Sequence, residues 1–286
     1  MNILEKLSES TNYNQYLTIM SESMKTSSKG LIPFYAKRFS KILDIGCGSG
    51  TLSKTLSNLT TDKTTITGID LNQNAIDICK RKYTDDSKIR FKKTSLYDLQ
   101  KDNKSFDCII FSSVLHELSS YDNVNKYSQI PIIDALDEAY ILLDRGGRII
   151  IRDGIKSVDF STVSFQFTDY DNGKYYLEKF KTEYYDGIEY KEFDDKTFEV
   201  PFAKLKEFLY TYTWSEESWD REVQEQFGIL SLNEWKYVIE RAGFNIKVFS
   251  INADEYVKYL SRKIKINKQL RNLLSEMTIF IVAEKY

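Results

Sequence analysis

The feature that most constrains this chain is the run Asp44-Ile45-Gly46-Cys47-Gly48-Ser49-Gly50, which follows the apolar pair Ile42-Leu43 and precedes the helix-like TLSKTLSNL. Glycines at alternate positions permit left-handed backbone and let a ligand approach the main chain closely. A short apolar strand that ends in such a turn and feeds a helix offers free N–H groups and the positive end of a helix dipole to an anionic group. Asp70 closes the next apolar segment, TITGID, twenty residues after Gly50. A carboxylate there faces the same crevice and can accept hydrogen bonds from two ribose hydroxyls. It can equally cap the helix that follows, and the two roles are compatible.

The same rhythm continues along the chain. Strands are expected over 41–46, 65–70, 89–96, 106–113, 147–154, 245–251 and 277–286, and helices over 51–59, 73–83, 130–143 and 231–244. Strands alternating with helices mean βαβ units and a mostly parallel sheet. Residues 1–40 read as an amphipathic helical cap, with Leu4, Leu7, Tyr13, Tyr16, Leu17 and Met20 at roughly helical spacing. The rhythm breaks at 156–230, a stretch dense in aromatic residues, with 9 basic against 17 acidic side chains. The expected organisation is therefore a core domain over 41–155 and 231–286, interrupted by an inserted region over 156–230.

The crevice admits either a nicotinamide dinucleotide or S-adenosylmethionine, and the glycine spacing separates them. A dinucleotide fingerprint is G-x-G-x-x-G; here the third glycine comes one residue early and an Asp precedes the first by two. D-x-G-x-G-x-G resembles the first motif of the class I S-adenosylmethionine-dependent methyltransferases. Four further segments are similar to that family in the same order: Thr67-Gly68-Ile69-Asp70, Phe91 to Leu99, Ser105 to His116, and Leu142-Leu143-Asp144-Arg145-Gly146-Gly147-Arg148-Ile149. Ser95 stands where the family commonly has an adenine-binding Asp, with Asp98 three residues on, and Asp144-Arg145 replaces a usual Lys-Pro. The resemblance implies a three-layer Rossmann-like α/β fold. Its seven-stranded sheet is mostly parallel with a reversed last strand, and residues 156–230 form an aromatic-rich lid.

It also implies S-adenosylmethionine as cofactor and S-adenosylhomocysteine as product. Asp44, Gly46, Cys47, Gly48 and Gly50 would hold the methionine part, Asp70 with Leu71 the ribose, and Ser95 and Leu96 the adenine. Ser112 would line the cleft near the sulfur, and Tyr13 or Tyr16 would close over the cofactor or else pack in the core. His116, just past the fourth strand, is the candidate base by type and place, with a structural histidine as the other reading. Asp153 with Arg152, at the end of the fifth strand, either faces the cleft or caps the next segment. Asp220, Glu222 and Glu225 read as a solvated helix face, and the aromatics of 156–230 as an acceptor pocket or the insertion's own core.

Acids and bases nearly cancel, at formal net charge −2, which argues against global capture of nucleic acid or membrane. No apolar run approaches the ~18 residues needed to span a bilayer. The first residues lack a basic and apolar leader pattern, and Cys47, Cys79 and Cys108 show neither a disulfide framework nor a metal spacing; a cytoplasmic home is expected. The single histidine excludes a multi-histidine metal site, and no metal is expected. A small-molecule acceptor is the leading expectation. The alternative is an RNA (tRNA) or protein methyltransferase using the basic stretch Lys258, Arg262, Lys263, Lys265, Lys268 and Arg271, whose other reading is a solvated face.

Overall fold

The computed structural model describes residues 28–99, 105–214, 216–252 and 254–286; the expected N-terminal helix, with Tyr13 and Tyr16, lies outside them. Seven strands form the main sheet: β1 (Lys41–Ile45), β2 (Thr65–Asp70), β3 (Ile89–Lys93), β4 (Phe106–Ser112), β5 (Leu143–Gly154), β9 (Phe244–Asn252) and β10 (Thr278–Lys285). Their order is β3-β2-β1-β4-β5-β10-β9. β1 to β5 run parallel, while β10 is antiparallel to both β5 and β9. This is the expected Rossmann-like architecture with its last strand reversed. The order turns back between β1 and β4, so a crevice opens beyond the carboxyl ends of those strands.

Both faces of the sheet are covered, which explains why its central strands are continuously apolar rather than alternating. On one face, Leu43, Ile109, Phe111, Ile149 and Ile151 pack with α5 (Ile130–Leu142) and α9 (Leu232–Arg241). On the other, Ile42, Cys108, Ile110 and Ile150 pack with α1 (Ile32–Ala36) and α2 (Thr51–Leu59). Helix starts follow local chemistry. Asn72 caps α3 (Gln73–Lys82) by accepting from the amides of Asn74 and Ala75. Ser231 and Glu234 form a reciprocal capping box on α9. The helix expected over 130–143 ends at Leu142, and the strand expected from 147 already begins at Leu143. Gly146, at φ +76°, takes up the turn inside it.

The insertion carries a second sheet and a second apolar core. β6 (Thr162–Phe165), β7 (Lys191–Glu192) and β8 (Phe198–Pro201) form an antiparallel sheet in the order β6-β8-β7, beside α6 (Tyr170–Glu183), α7 (Phe202–Tyr212) and α8 (Trp219–Glu222). Phe165, Phe167, Tyr176, Phe180, Phe198, Phe208 and Trp219 are buried in its core, so most of the aromatics singled out above pack against one another; Tyr175 is exposed. The segment after β9 joins this core: α10 (Asp254–Leu260), α11 (Lys268–Leu273) and their flanks supply Val257, Leu260, Ile264, Leu270, Leu274 and Met277. Main-chain bonds from Thr168 N to Lys263 O and from Lys265 N to Gln166 O tie it down. The expectation placed these residues in the core domain, yet their apolar side chains complete the insertion. Among the described residues, no helix is long and apolar enough to cross a membrane.

Leu260, fully buried at this junction, tests the arrangement. Leu260→Ala should destabilise the protein by about 2–5 kcal/mol, read by urea denaturation; a cost below about 1 kcal/mol would contradict it.

Candidate active site

The loop after β1 carries positive φ at all three glycines: +65° at Gly46, +49° at Gly48 and +71° at Gly50. A side chain is excluded at Gly46 on a second count, since a Cβ there would lie 2.7 Å from Cγ2 of Val114, in the turn after β4. The loop is anchored to β2 by Cys47 N on Ile69 O (2.9 Å) and to α3 by the Cys79 thiol on Gly48 O (3.1 Å). Asp70 accepts from Gly48 N (3.0 Å) with one oxygen and from Asn72 N (2.9 Å) with the other. A carboxylate has about four acceptor sites, so each oxygen keeps capacity for a ribose hydroxyl. Asp70 thus ties the glycine loop to the turn before α3, while the cap expected of it is supplied by Asn72. Burial raises its pKa, against the pull of those two amides.

Asp44, at 1% exposure, accepts from Ser53 Oγ (2.6 Å). Burial pushes its carboxyl up to about 6, the Ser53 bond opposing. Lys29, which the sequence pattern did not flag, is buried in the same region; burial and the Arg152 guanidinium bring it down to about 7, while Glu117, Asp153 and Asp44 counteract. Past the end of β3, Ser95 Oγ donates to Asp98 (2.6 Å) and accepts from the Asp98 amide. The two residues therefore act as one polar unit where the family commonly has a single Asp. Leu96 is buried beside them, whereas Leu71 is half exposed. Ser112 is the last residue of β4 and Ser113 follows at φ +58°, its hydroxyl accepting from Arg152 Nη1 (2.5 Å).

His116 and Asp153 are brought together. His116 lies in the first turn of α4 (Leu115–Ser120), its Nδ1 2.6 Å from Asp153 Oδ1. The other Asp153 oxygen accepts from the amides of Leu115 (2.9 Å) and His116 (3.3 Å), which caps the helix. Nε2 of His116 faces Glu225 Oε2 at 3.4 Å, and its ring stacks on Phe227 at 4.8 Å. Burial alone would lower the imidazole pKa, but Asp153 and Glu225 more than offset it and hold the pKa well above its usual value. With both nitrogens facing carboxylates, the ring has no free lone pair to act as a base in this arrangement.

The surrounding groups come from the insertion. Arg221 pairs with Glu117 (2.9 Å) and Glu225 (3.2 Å), and Tyr121 Oη donates to Glu225 (2.8 Å). Glu222 and Glu225 are each 1% exposed, so the solvated face expected for them is overturned; only Asp220 of that trio is exposed. The available signal was position, because Glu222 falls three residues after the buried Trp219 and next to the buried Val223, on the apolar face of the segment. Burial pushes the Glu117 carboxyl up to about 7 and Glu222 well above the usual carboxylate range. The basic stretch is mainly solvated: Lys258, Arg262, Lys265, Lys268 and Arg271 are exposed, while Lys263 is half-buried, 4.8 Å over the Tyr212 ring.

Residues 42–131 match a methyltransferase-domain family. The ubiquinone/menaquinone biosynthesis C-methyltransferase of Wigglesworthia glossinidia brevipalpis is 28% identical over 129 residues; the match covers 44% of this chain and 45% of that protein, less than half of each. An O-methyltransferase family protein from Burkholderia thailandensis superposes with a TM-score of 0.57 at 12% identity, covering 98% of this chain and 61% of the other. An S-adenosylmethionine-dependent methyltransferase from Mesorhizobium loti gives 0.51 at 13% identity, over 86% and 91%. At such identities the structural likenesses establish the fold.

Gly154 is where the insertion crosses β5: a Cβ there would lie 2.4 Å from the Phe227 carbonyl oxygen. Gly154→Ala should push the Phe227 segment outward, costing about 1–3 kcal/mol in denaturant titration. An unchanged midpoint would mean that this approach is not closely packed.

Proposed function

We propose that this chain is a class I S-adenosylmethionine-dependent methyltransferase that moves a methyl group from S-adenosylmethionine to a small-molecule acceptor, a reading supported by the methyltransferase domain matched over residues 42–131. The observation that carries this reading is the left-handed glycine loop held against Asp70 at the carboxyl ends of β1 and β2. The residues fit the cofactor's parts. Asp44 and the loop backbone suit the methionine ammonium and carboxylate. Asp70 suits the ribose, and the Ser95–Asp98 pair with Leu96 suits the adenine. The bound cofactor supplies a sulfonium-activated methyl group, displaced in line by the acceptor. Catalysis then rests on holding the acceptor about 3 Å from that carbon and excluding water.

In this reading residues 41–155 with 231–252 and 278–286 form the cofactor-binding domain, and 156–230, completed by the 254–277 segment, the acceptor-binding lid. Support for a small acceptor comes from the insertion's own groups: Arg221 and Glu225 pair with Glu117 and His116 just past the end of β4, as a buried polar network. An acidic insertion also repels a phosphate backbone, which disfavours the RNA alternative. His116 and Asp153 act here as positioning residues that fix α4 and the lid, not as a free base.

Calorimetric titration with S-adenosylhomocysteine tests the cofactor site. The wild type should bind, and Asp70→Asn should bind about 10–100-fold more weakly, the weight of charge-assisted hydrogen bonds. No binding by the folded wild type would end the methyltransferase reading. The same titration should show affinity falling as the pH drops below about 6. The ligand ammonium favours ionised Asp44, whose pKa in the free protein is about 6. Below that value a proton must first leave, at a cost of up to tenfold per pH unit.

A further inference from the structure

The network around His116 leaves one group unmet. Glu222 is 1% exposed, and its Oε1 finds no hydrogen-bond partner among the described residues. It lies one residue after Arg221 and three before Glu225, and burial and the like charge of Glu225 raise its pKa. His116, Glu117 and Glu225 each bring a ligand-type atom to within 4.8 Å of the others. Their recorded polar bonds lead elsewhere. Nδ1 of His116 goes to Asp153, Oε1 of Glu225 accepts from Tyr121 and Arg221, and Oε1 of Glu117 pairs with Arg221.

Nε2 of His116 and Oε2 of Glu225 remain face to face at 3.4 Å. That is long for an N–H···O hydrogen bond. It matches the separation of two ligands about 2.1 Å from one tetrahedral metal, about 3.4 Å. A histidine whose other ring nitrogen is fixed by a carboxylate is also the usual setting of a metal-binding imidazole.

We propose that His116, Glu225, Glu222 and Glu117 form a site for one divalent cation, at the acceptor end of the cofactor cleft. One imidazole among carboxylates suits a first-row ion such as Mn2+ or Zn2+. Arg221 grips the outer carboxylate oxygens and orients the inner ones, and Asp153 orients the imidazole. Glu117, with 22% side-chain exposure, gives the site its opening. The site's role rests on the methyl-transfer reading: a cation here holds an acceptor that presents a hydroxyl oxygen and lowers the pKa of that hydroxyl. The hydroxyl proton passes to water, the oxygen forms the new bond to the methyl carbon, and the C–S bonding pair leaves with sulfur.

The test uses the full chain stripped with chelator and titrated with Mn2+ alone or Zn2+ alone by calorimetry, Mn2+ binding being checked by loss of the free-ion paramagnetic resonance signal. One ion per chain is expected. Glu225→Gln and Glu222→Gln should each weaken binding at least tenfold, and Asp153→Asn about 10–100-fold. Asp137→Asn, in the exposed pair with Arg241, should change nothing. Glu222→Gln preserves shape at a group with no recorded hydrogen bond to lose, so it remains decisive if a His116 variant fails to fold. Absence of saturable binding by the folded wild type, or binding unaltered in both glutamine variants, overturns the site. S-adenosylhomocysteine titrations on the same samples keep the two proposals separate. Cofactor binding without cation binding sinks only the cation site, and the converse sinks only the cofactor reading.

Discussion

The arrangement of this molecule turns on the carboxylate of Asp153. From the end of β5 it caps the first turn of α4 through two amides and fixes the His116 ring through its other oxygen. The ring in turn faces Glu225 and stacks on Phe227, both in the insertion. One buried anion thus connects the sheet, the helix after β4 and the lid. Its pKa is lowered although burial works in the opposite direction, because His116, the Gly154 amide and Arg152 favour the charged form.

Burying several ionised groups is costly unless each is paired and hydrogen-bonded. Most of this network meets that condition: Glu225 receives Tyr121 and Arg221, Ser120 receives the Gln226 amide, and the Tyr127 hydroxyl donates to Gln224 O. These bonds pull residues 224–226 onto α4, so the lid is seated by polar matching and its aromatic core lies behind. A seat of this kind is specific, since a shifted lid would strand charges in an apolar setting. The orphaned oxygen of Glu222 is conspicuous for the same reason, being the place where the matching stops.

Legibility in the sequence follows the range of the forces involved. The glycine loop is a local constraint: left-handed backbone needs glycine, and Gly46, Gly48 and Gly50 declare it. Asp70 and the capping box of Ser231 and Glu234 are equally local, and the sheet follows from repeated apolar runs. The lid's charged residues are different. Glu222 and Glu225 read as solvated because charge ordinarily means exposure. Their burial depends on partners a hundred residues away, such as Tyr121 with Glu225. Lys29 is hidden for the same reason, its neighbours being Asp44, Glu117 and Asp153 on separate elements. The 254–277 segment displays its basic surface in composition, while the apolar positions that seat it in the aromatic core are thinly spread.

The two cores therefore divide the work. The parallel sheet fixes the glycine loop and Asp70 at the carboxyl ends of β1 and β2. The antiparallel sheet and its aromatic core hold α8 so that Arg221 reaches Glu117. Arg221 also favours the charged form of Asp70 electrostatically. The field of one guanidinium thus reaches both the crevice acid and the carboxylates that seat the insertion.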